Sequence, residues 1–416
     1  MRSWDAPEVP ALGRGSATVA DALRLHDSAS GVVRPVGPRE GTARMYVCGI
    51  TPYDATHLGH AFTYLTFDLV NRQWRDLGLE VQFAQNVTDV DEPLLERAEQ
   101  TGRDWRELAA QQIELFRDDM EALRIIPPQH YVGAVESIDT VAALVDEMRP
   151  SGAIYQIDDL EHPDWYFRCV DAPDFGDVSH LDRETMRRVF GENGGDPDRP
   201  GKRDPLDCLV WRLERPGEPS WESRLGRGRP GWHIECTAIA LKHLGPRIDI
   251  QGGGSDLAFP HHEMCAAEGA VAAHQPFADA YVHVGMVGLD GQKMSKSLGN
   301  LEFVSRLRSA GVDPMAVRLA LLAHHYREDW EWTPDQLDAA VRRLASWREA
   351  LAAAGAVDAQ EVIDRLRGAL RADLDVPAAL GVLDAWAQAS RTAGSPDPDA
   401  ARLVASAVDA LLGIRL

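Results

Sequence analysis

Met45-Tyr46-Val47-Cys48-Gly49-Ile50-Thr51-Pro52-Tyr53-Asp54-Ala55-Thr56-His57-Leu58-Gly59-His60 changes its periodicity partway along. Met45 to Cys48 is β-rich, and Gly49 and Pro52 break the run. From Leu58 to Leu77 the apolar residues Leu58, Phe62, Leu65, Leu69 and Trp74 then recur on one helical stripe. A second strand, Val81 to Val87, follows, and helical periodicity returns from Pro93 to about Ile125. Strand–helix–strand at this spacing implies parallel pairing, so the expected fold class is α/β with a parallel sheet.

Further along, Pro127-Pro128 interrupts the chain and Val135 to Met148 reads as a helix. Between Tyr155 and Trp221 the pattern is irregular, and the polar run Gly191-Glu192-Asn193-Gly194-Gly195-Asp196-Pro197 reads as a mobile surface loop. The alternation resumes with a helix from Ile234 to Leu244, a strand from Arg247 to Gln251, and Gly252-Gly253-Gly254. A helix then starts near Pro260, and Tyr281 to Val284 reads as a strand. After Asn300 every pattern is helical: Pro314 to Ala323, Pro334 to Ala353, Glu361 to Leu370, Pro377 to Ala389 and Ala400 to Leu412. The expected organisation is a lead-in segment over 1–40, a catalytic body over 41–300 with an inserted segment at about 125–225, and a helical domain over 301–416.

Composition narrows the class. Of 416 residues, 44% are hydrophobic and 26% charged, a soluble globular balance that excludes wholesale disorder. No apolar run approaches the ~18 residues that a membrane helix needs. The first twenty residues, broken by Pro7, Pro10, Gly13 and Gly15, lack the apolar core of a secretory signal. Five cysteines, an odd number, do not make a disulfide framework, so a cytoplasmic location is expected. The net charge of −22 repels polyanions at long range. Only four of the 43 basic residues are lysines, and two of these, Lys293 and Lys296, lie three positions apart. A compact ammonium is retained there while arginine has replaced lysine almost everywhere else.

Two short motifs carry chemistry. His57-Leu58-Gly59-His60 puts two imidazoles on one face of the first turn of a helix, where free N–H groups favour an anion. On its own this motif suits a structural turn equally well. Lys293-Met294-Ser295-Lys296-Ser297, within the glycine-flanked run Gly291 to Asn300, reads as a flexible loop carrying half of the protein's lysines. The two together, in this order, resemble the signatures of class I aminoacyl-tRNA synthetases. That resemblance implies a Rossmann-like parallel sheet and activation of a carboxylate at the α-phosphate of ATP, supplied with Mg2+. Tyr46 to Asp54, Asn86-Val87-Thr88-Asp89-Val90-Asp91, Gly231-Trp232-His233-Ile234-Glu235-Cys236, Asp249 to Leu257 and Phe259-Pro260-His261-His262-Glu263 are similar to cysteinyl-tRNA synthetase, from about Met45 to Asn300.

The resemblance assigns roles. It implies one zinc ion per chain held by Cys48, Cys236 and His261, with a position left for a substrate thiolate, which a soft metal bond separates from a serine hydroxyl. Cys265 stands where those synthetases carry a glutamate ligand; it is either a further ligand or a buried helix residue. His57, His60, Lys293 and Lys296 are the implied catalytic residues. Contacts with an adenylate are implied for Cys48, Gly49, Ile50, Thr51, Thr63, Asn86, Val87, Thr88, Trp232, Gly254, Ser255, Asp256 and Val287.

The tRNA function fits less well. The 116 residues after Asn300 contain 13 arginines, no lysine and 17 acids, a net of 13 − 17 = −4, whereas a surface that tracks phosphates should be basic. Thr51-Pro52-Tyr53-Asp54-Ala55-Thr56, the proline of Asp91-Glu92-Pro93, the Asn193-Gly194-Gly195-Asp196-Pro197 loop and the ending Asp409-Ala410-Leu411-Leu412-Gly413 resemble the ATP-dependent cysteine ligases of mycothiol biosynthesis. That family implies joining L-cysteine, through cysteinyl-adenylate, to the amine of glucosaminyl-inositol, with release of AMP and pyrophosphate. The implied partners are ATP, L-cysteine and glucosaminyl-inositol, with no nucleic acid, no membrane and a monomeric chain. A compact cysteinyl-tRNA synthetase is the alternative. A catalytically dead binding protein is disfavoured, because both histidines and both loop lysines are present.

Overall fold

The computed structural model describes the chain except residues 14–21, 54–55, 173, 290, 295–300 and 394. The expected lead-in contains an antiparallel hairpin, β1 (Arg24–Asp27) and β2 (Val32–Pro35). The opening strand–helix–strand is β3 (Thr42–Val47), α1 (Leu58–Asp76) and β4 (Glu80–Val87). The long helix expected after Pro93 is two, α2 (Glu92–Thr101) and α3 (Trp105–Ala122). They part at Gly102, whose φ of 63° is the left-handed conformation that ends helices. β5 (His130–Gly133) and α4 (Ala134–Met148) complete this half.

The stretch expected to be irregular is a second sheet. β6 (Ile154–Gln156), β7 (Trp165–Phe167), β8 (Cys208–Leu213) and β9 (Gly228–Pro230) pair antiparallel in that order, with α5 (Arg183–Glu192) between β7 and β8. A separate apolar core containing Phe167, Trp211, Ile234 and Met264 lies beneath it.

The chain returns to the main layer with α6 (Trp232–Leu244), β10 (Ile248–Gly254), α7 (Glu263–Ala273) and β11 (Ala278–Val284). The three glycines are the end of β10 rather than a loop after it. At Gly252 there is no room for more, because a Cβ there would lie 2.2 Å from the Phe67 ring. The main sheet has the order β11-β10-β3-β4-β5 and is parallel throughout. From β3 the chain builds outward through β4 and β5, then starts again on the other side of β3 with β10. Ligands of open parallel sheets bind outside the strand ends at such a reversal. Here those ends are Cys48, whose N–H bonds the Gly252 carbonyl at 3.0 Å, and Gly254.

Beyond the sheet, β12 (Val287–Leu289) pairs with β13 (Gln292–Lys293) and with the two-residue β14 (Trp330–Glu331), so the C-terminal part is not wholly helical. Its helices are α8 (Val304–Ser309), α9 (Pro314–Leu321), α10 (Pro334–Ala353), α11 (Ala359–Arg371), α12 (Val376–Thr392) and α13 (Pro398–Leu412). One apolar core runs from Trp4 through α1 and the main sheet to Ile414. Consequently α1 buries more than one stripe: Asp68, Asn71, Arg72 and Gln73 are enclosed with its leucines. Arg72 bonds Asp68 at 2.8 Å, and Arg318 of α9 pairs with the same carboxylate. Arg318 also donates to the carbonyls of Leu412 and Leu123, each at 2.7 Å, which ties the C-terminal helices to the body.

Candidate active site

A cavity of about 710 Å³ opens at the reversal point of the main sheet. It is lined by Cys48, Gly49, Ile50 and Thr51 after β3, by His57, Gly59, His60 and Thr63 at the start of α1, and by Trp232, Gly254, Asp256 and Val287. The turn after β3 has to be thin. A Cβ on Gly49 would sit 1.7 Å from the Asn86 carbonyl oxygen. The Gly49 N–H instead donates to the Asn86 side chain at 2.7 Å, the Asn86 amide to the Thr88 hydroxyl at 3.1 Å, and the Thr88 N–H to the Ile50 carbonyl at 3.0 Å. Asn86, Val87 and Thr88 thus stand behind the wall and shape it, while Ser255 begins the turn that follows Gly254.

His57 caps α1, its Nδ1 accepting the His60 N–H at 3.4 Å. The two rings stack with centroids 3.7 Å apart, so both imidazoles stand over the N-terminal turn of a 19-residue helix, where the helix dipole favours an anion.

The backbone of Lys293 pairs with Gly288, and the Met294 N–H bonds the Val287 carbonyl at 3.2 Å, which puts Met294 in the cavity wall. Lys296 lies outside the described residues. Just past that segment, the Leu58 N–H bonds the Glu302 carbonyl and the Val304 N–H the Thr56 carbonyl, so the chain beyond residue 300 is tied to the start of α1.

Cys48, Cys236 and His261 present one ligand atom each, all within 4.8 Å of one another and all buried. They come from the residue after β3, from α6 and from the kinked turn before α7. Burial pushes both thiols up and the His261 imidazole down, so without a cation the three are neutral donors. Two sulfurs and a nitrogen suit a borderline-soft divalent metal such as zinc, which would hold the thiols as thiolates. Cys265 is buried beside them. Its Sγ lies 3.9 Å from His261 Nε2 and 3.4 Å from the His233 carbonyl, outside the mutually close trio. Behind Cys48 a chain of side chains reaches the hairpin: Cys48 Sγ to His262 Nε2 at 3.3 Å, His262 to His283 at 2.8 Å, and His283 to the Ser28 hydroxyl at 2.7 Å. Such outer groups fix the orientation of metal-binding side chains.

Other lining residues were given no role in the sequence reading, although some of them stand in the quoted motifs. Asp91, Glu92 and Glu96 come from the start of α2, Arg212 from β8, and Asn193 and Gly194 from the run expected to be a mobile surface loop. That run is tied down: Lys202 Nζ donates to the Asp196 carbonyl and carboxylate at 3.1 and 2.9 Å, and Tyr166 bonds the same carboxylate.

Three comparisons set this geometry among known proteins. The profile of the family described as tRNA synthetases class I (C) catalytic domain matches residues 36–342. The L-cysteine:1D-myo-inositol 2-amino-2-deoxy-alpha-D-glucopyranoside ligases of Streptosporangium roseum and Nocardiopsis dassonvillei are 62% and 60% identical, each aligned over the whole of both chains. Among solved structures, Mycobacterium tuberculosis methionyl-tRNA synthetase in complex with methionyl-adenylate superposes with a TM-score of 0.64 at 16% identity, covering 90% of this chain and 92% of that one. The LeuRS of Agrobacterium radiobacter K84 gives 0.63 at 11% identity, covering 90% and 84%. At these identities the superpositions show the shared fold.

Proposed function

Because the chain belongs to the L-cysteine:1D-myo-inositol 2-amino-2-deoxy-alpha-D-glucopyranoside ligases, within the class I (C) tRNA synthetase family, we propose that it joins L-cysteine to the amine of glucosaminyl-inositol through a cysteinyl-adenylate, as a step of mycothiol synthesis. The observation that carries this reading is that the cavity at the sheet's reversal point is lined both by the His57/His60 turn and by Cys48, whose sulfur lies within 4.8 Å of the ligand atoms of Cys236 and His261.

In this reading ATP, with its Mg2+, lies across the N-terminus of α1. The cysteine carboxylate attacks the α-phosphate and pyrophosphate leaves. His57 and His60 donate to phosphate oxygens as charge develops, and Lys293 and Lys296 close over the departing pyrophosphate. Gly254 leaves room for the ribose, and Asp256 accepts from a hydroxyl or the substrate ammonium. Trp232 walls the amino-acid end and excludes water. The acceptor amine then attacks the carbonyl carbon of the mixed anhydride, an amide forms, and AMP leaves. A zinc ion held by Cys48, Cys236 and His261 would supply a thiophilic Lewis acid, which separates cysteine from serine more sharply than pocket size does.

The reaction is proposed to involve small molecules only, with the chain acting as a monomer and without nucleic acid. The test is AMP release by purified protein given ATP, L-cysteine and either glucosaminyl-inositol or tRNA. Release with the amino sugar and none with tRNA is expected; release with tRNA alone would make the protein a compact cysteinyl-tRNA synthetase.

A further inference from the structure

The start of α8 is laced to the His57 turn. The Leu58 N–H bonds the Glu302 carbonyl at 3.0 Å, the Val304 N–H bonds the Thr56 carbonyl at 3.1 Å, and His57 and Phe303 are antiparallel bridge partners between them. The backbone of His57 is therefore held on both sides by residues 302–304. Val304 opens α8, and Arg308 lies about one turn further along it. Arg308 donates to Oδ1 of Asp119, on α3, at 2.6 Å. The Thr56 hydroxyl faces the same carboxyl and favours its charged form, although the two do not meet as a formed hydrogen bond. Asp119 and Thr56 are both fully enclosed. The contacts thus run from Thr56 through α8 and Arg308 to Asp119 and back to Thr56, the residue before His57.

An enclosed carboxylate is a costly fastening for a helix. Burial pushes the Asp119 carboxyl up to about 6; Arg308 from α8 pulls it down, and Asp118 from α3 itself adds a repulsion. Well-packed apolar side chains would join α3 to α8 without that cost. The ion pair supplies direction instead. One N–H aimed at one oxygen fixes where α8 sits along α3, whereas apolar contact is non-directional. The segment fixed in this way is the one that grips the His57 backbone, and the His57 imidazole stands over the N-terminal turn of α1.

We propose that Asp119 is a positioning residue for adenylate formation: through Arg308 it seats α8, and α8 holds His57 where charge develops on the phosphate. The assignment rests on the adenylate reading and adds to it a residue that does not line the cavity. Because Asp119 acts through His57, its effect belongs to the transition state rather than to substrate binding.

Asp119→Asn tests it, because the shape is kept and the charge is lost. At about pH 8 the kcat of cysteine-dependent ATP–pyrophosphate exchange, per active site titrated by adenylate formation, should fall about tenfold, within the range that a slightly misplaced group costs. The KM values for ATP and cysteine should stay within about twofold, since an interaction made only in the transition state acts on kcat. Counting active sites removes any loss of folded protein from the comparison. The wild-type advantage should be full at about pH 8 and disappear as pH falls through about 6, where Asp119 itself takes up a proton. Titration of His57 or His60 is common to both enzymes and cancels in the ratio. Arg308→Met should cost a similar factor, and the double variant no more than the larger single loss. An unchanged kcat per active site, an effect confined to KM, losses that multiply in the double variant, or an advantage constant across pH would each overturn the role. A wild-type enzyme without exchange would sink the adenylate reading itself. Exchange by the wild type with an indifferent Asp119→Asn variant sinks the positioning role alone.

Discussion

The indole of Trp232 lies against the imidazole of His261, with ring centroids 4.5 Å apart and planes 22° from parallel. One residue therefore forms a wall of the main cavity and backs a member of the Cys48, Cys236 and His261 trio. An aromatic contact of this kind is worth about 0.5–1.5 kcal/mol, which is up to roughly tenfold in binding. Trp232→Ala should raise the KM for cysteine in ATP–pyrophosphate exchange by about that factor, and Trp232→Phe should recover most of it. Equal KM values in wild type and Trp232→Ala would remove Trp232 from the amino-acid end of the site.

The trio sets a metal prediction. Cys236→Ser should lose bound zinc and cysteine activation together, because a serine hydroxyl is a poor zinc ligand. Cys265→Ser should keep both, since Cys265 lies outside the mutually close set. Metal analysis of the purified variants alongside exchange assays checks this. Zinc loss in the Cys265 variant would add that residue to the ligands.

For the loop lysines the prediction concerns rate. Lys296→Ala should lower cysteine-dependent exchange by about 10²-fold, the scale of one lost donor to a developing charge. Exchange near the wild-type rate would leave Lys296 without the role given to it.

These residues differ in how visible they were in the chain. β3, α1 and β4 were legible because each is long enough to show its period, and the His57 turn falls between two clear signals. β6 and β7 have three residues each, too few for alternation to register, so a whole sheet read as irregular. The trio joins residues 188 and 25 positions apart in sequence, and only family likeness pointed to it. Asp91, Asn193 and Arg212 come from three segments with no shared motif, and packing alone brings them to one cavity. Asn193 was quoted for likeness alone, in a run whose polarity suggested a free loop; its neighbour Asp196 is bonded by Lys202 and Tyr166.

A fourth prediction concerns acid stability. Burial works to raise the Asp68 carboxyl, but Arg72 and Arg318, together with the Ile126 N–H at 2.9 Å, outweigh it and hold the group below its ordinary 3.8. A depressed folded value means that the stabilisation is fully present above 3.8 and is lost as pH falls through the lower folded value. Asp68→Asn leaves two enclosed guanidinium groups without a counter-charge and should cost about 3–5 kcal/mol near neutrality. Denaturant midpoints should show that gap narrowing below about pH 4. A gap independent of pH would mean that Asp68 acts through its shape rather than its charge.

The Arg318 bonds to the carbonyls of Leu412 and Leu123 set an order of events during synthesis. The guanidinium pairs with Asp68 of α1, yet one of its acceptors lies 94 positions further along the chain. The nucleotide-binding half therefore cannot mature as an early, separate unit and wait for the rest of the chain. Nascent chains arrested before Leu412 should remain protease-sensitive around α1, and a chain cut after α12 should need the missing helix supplied as a peptide.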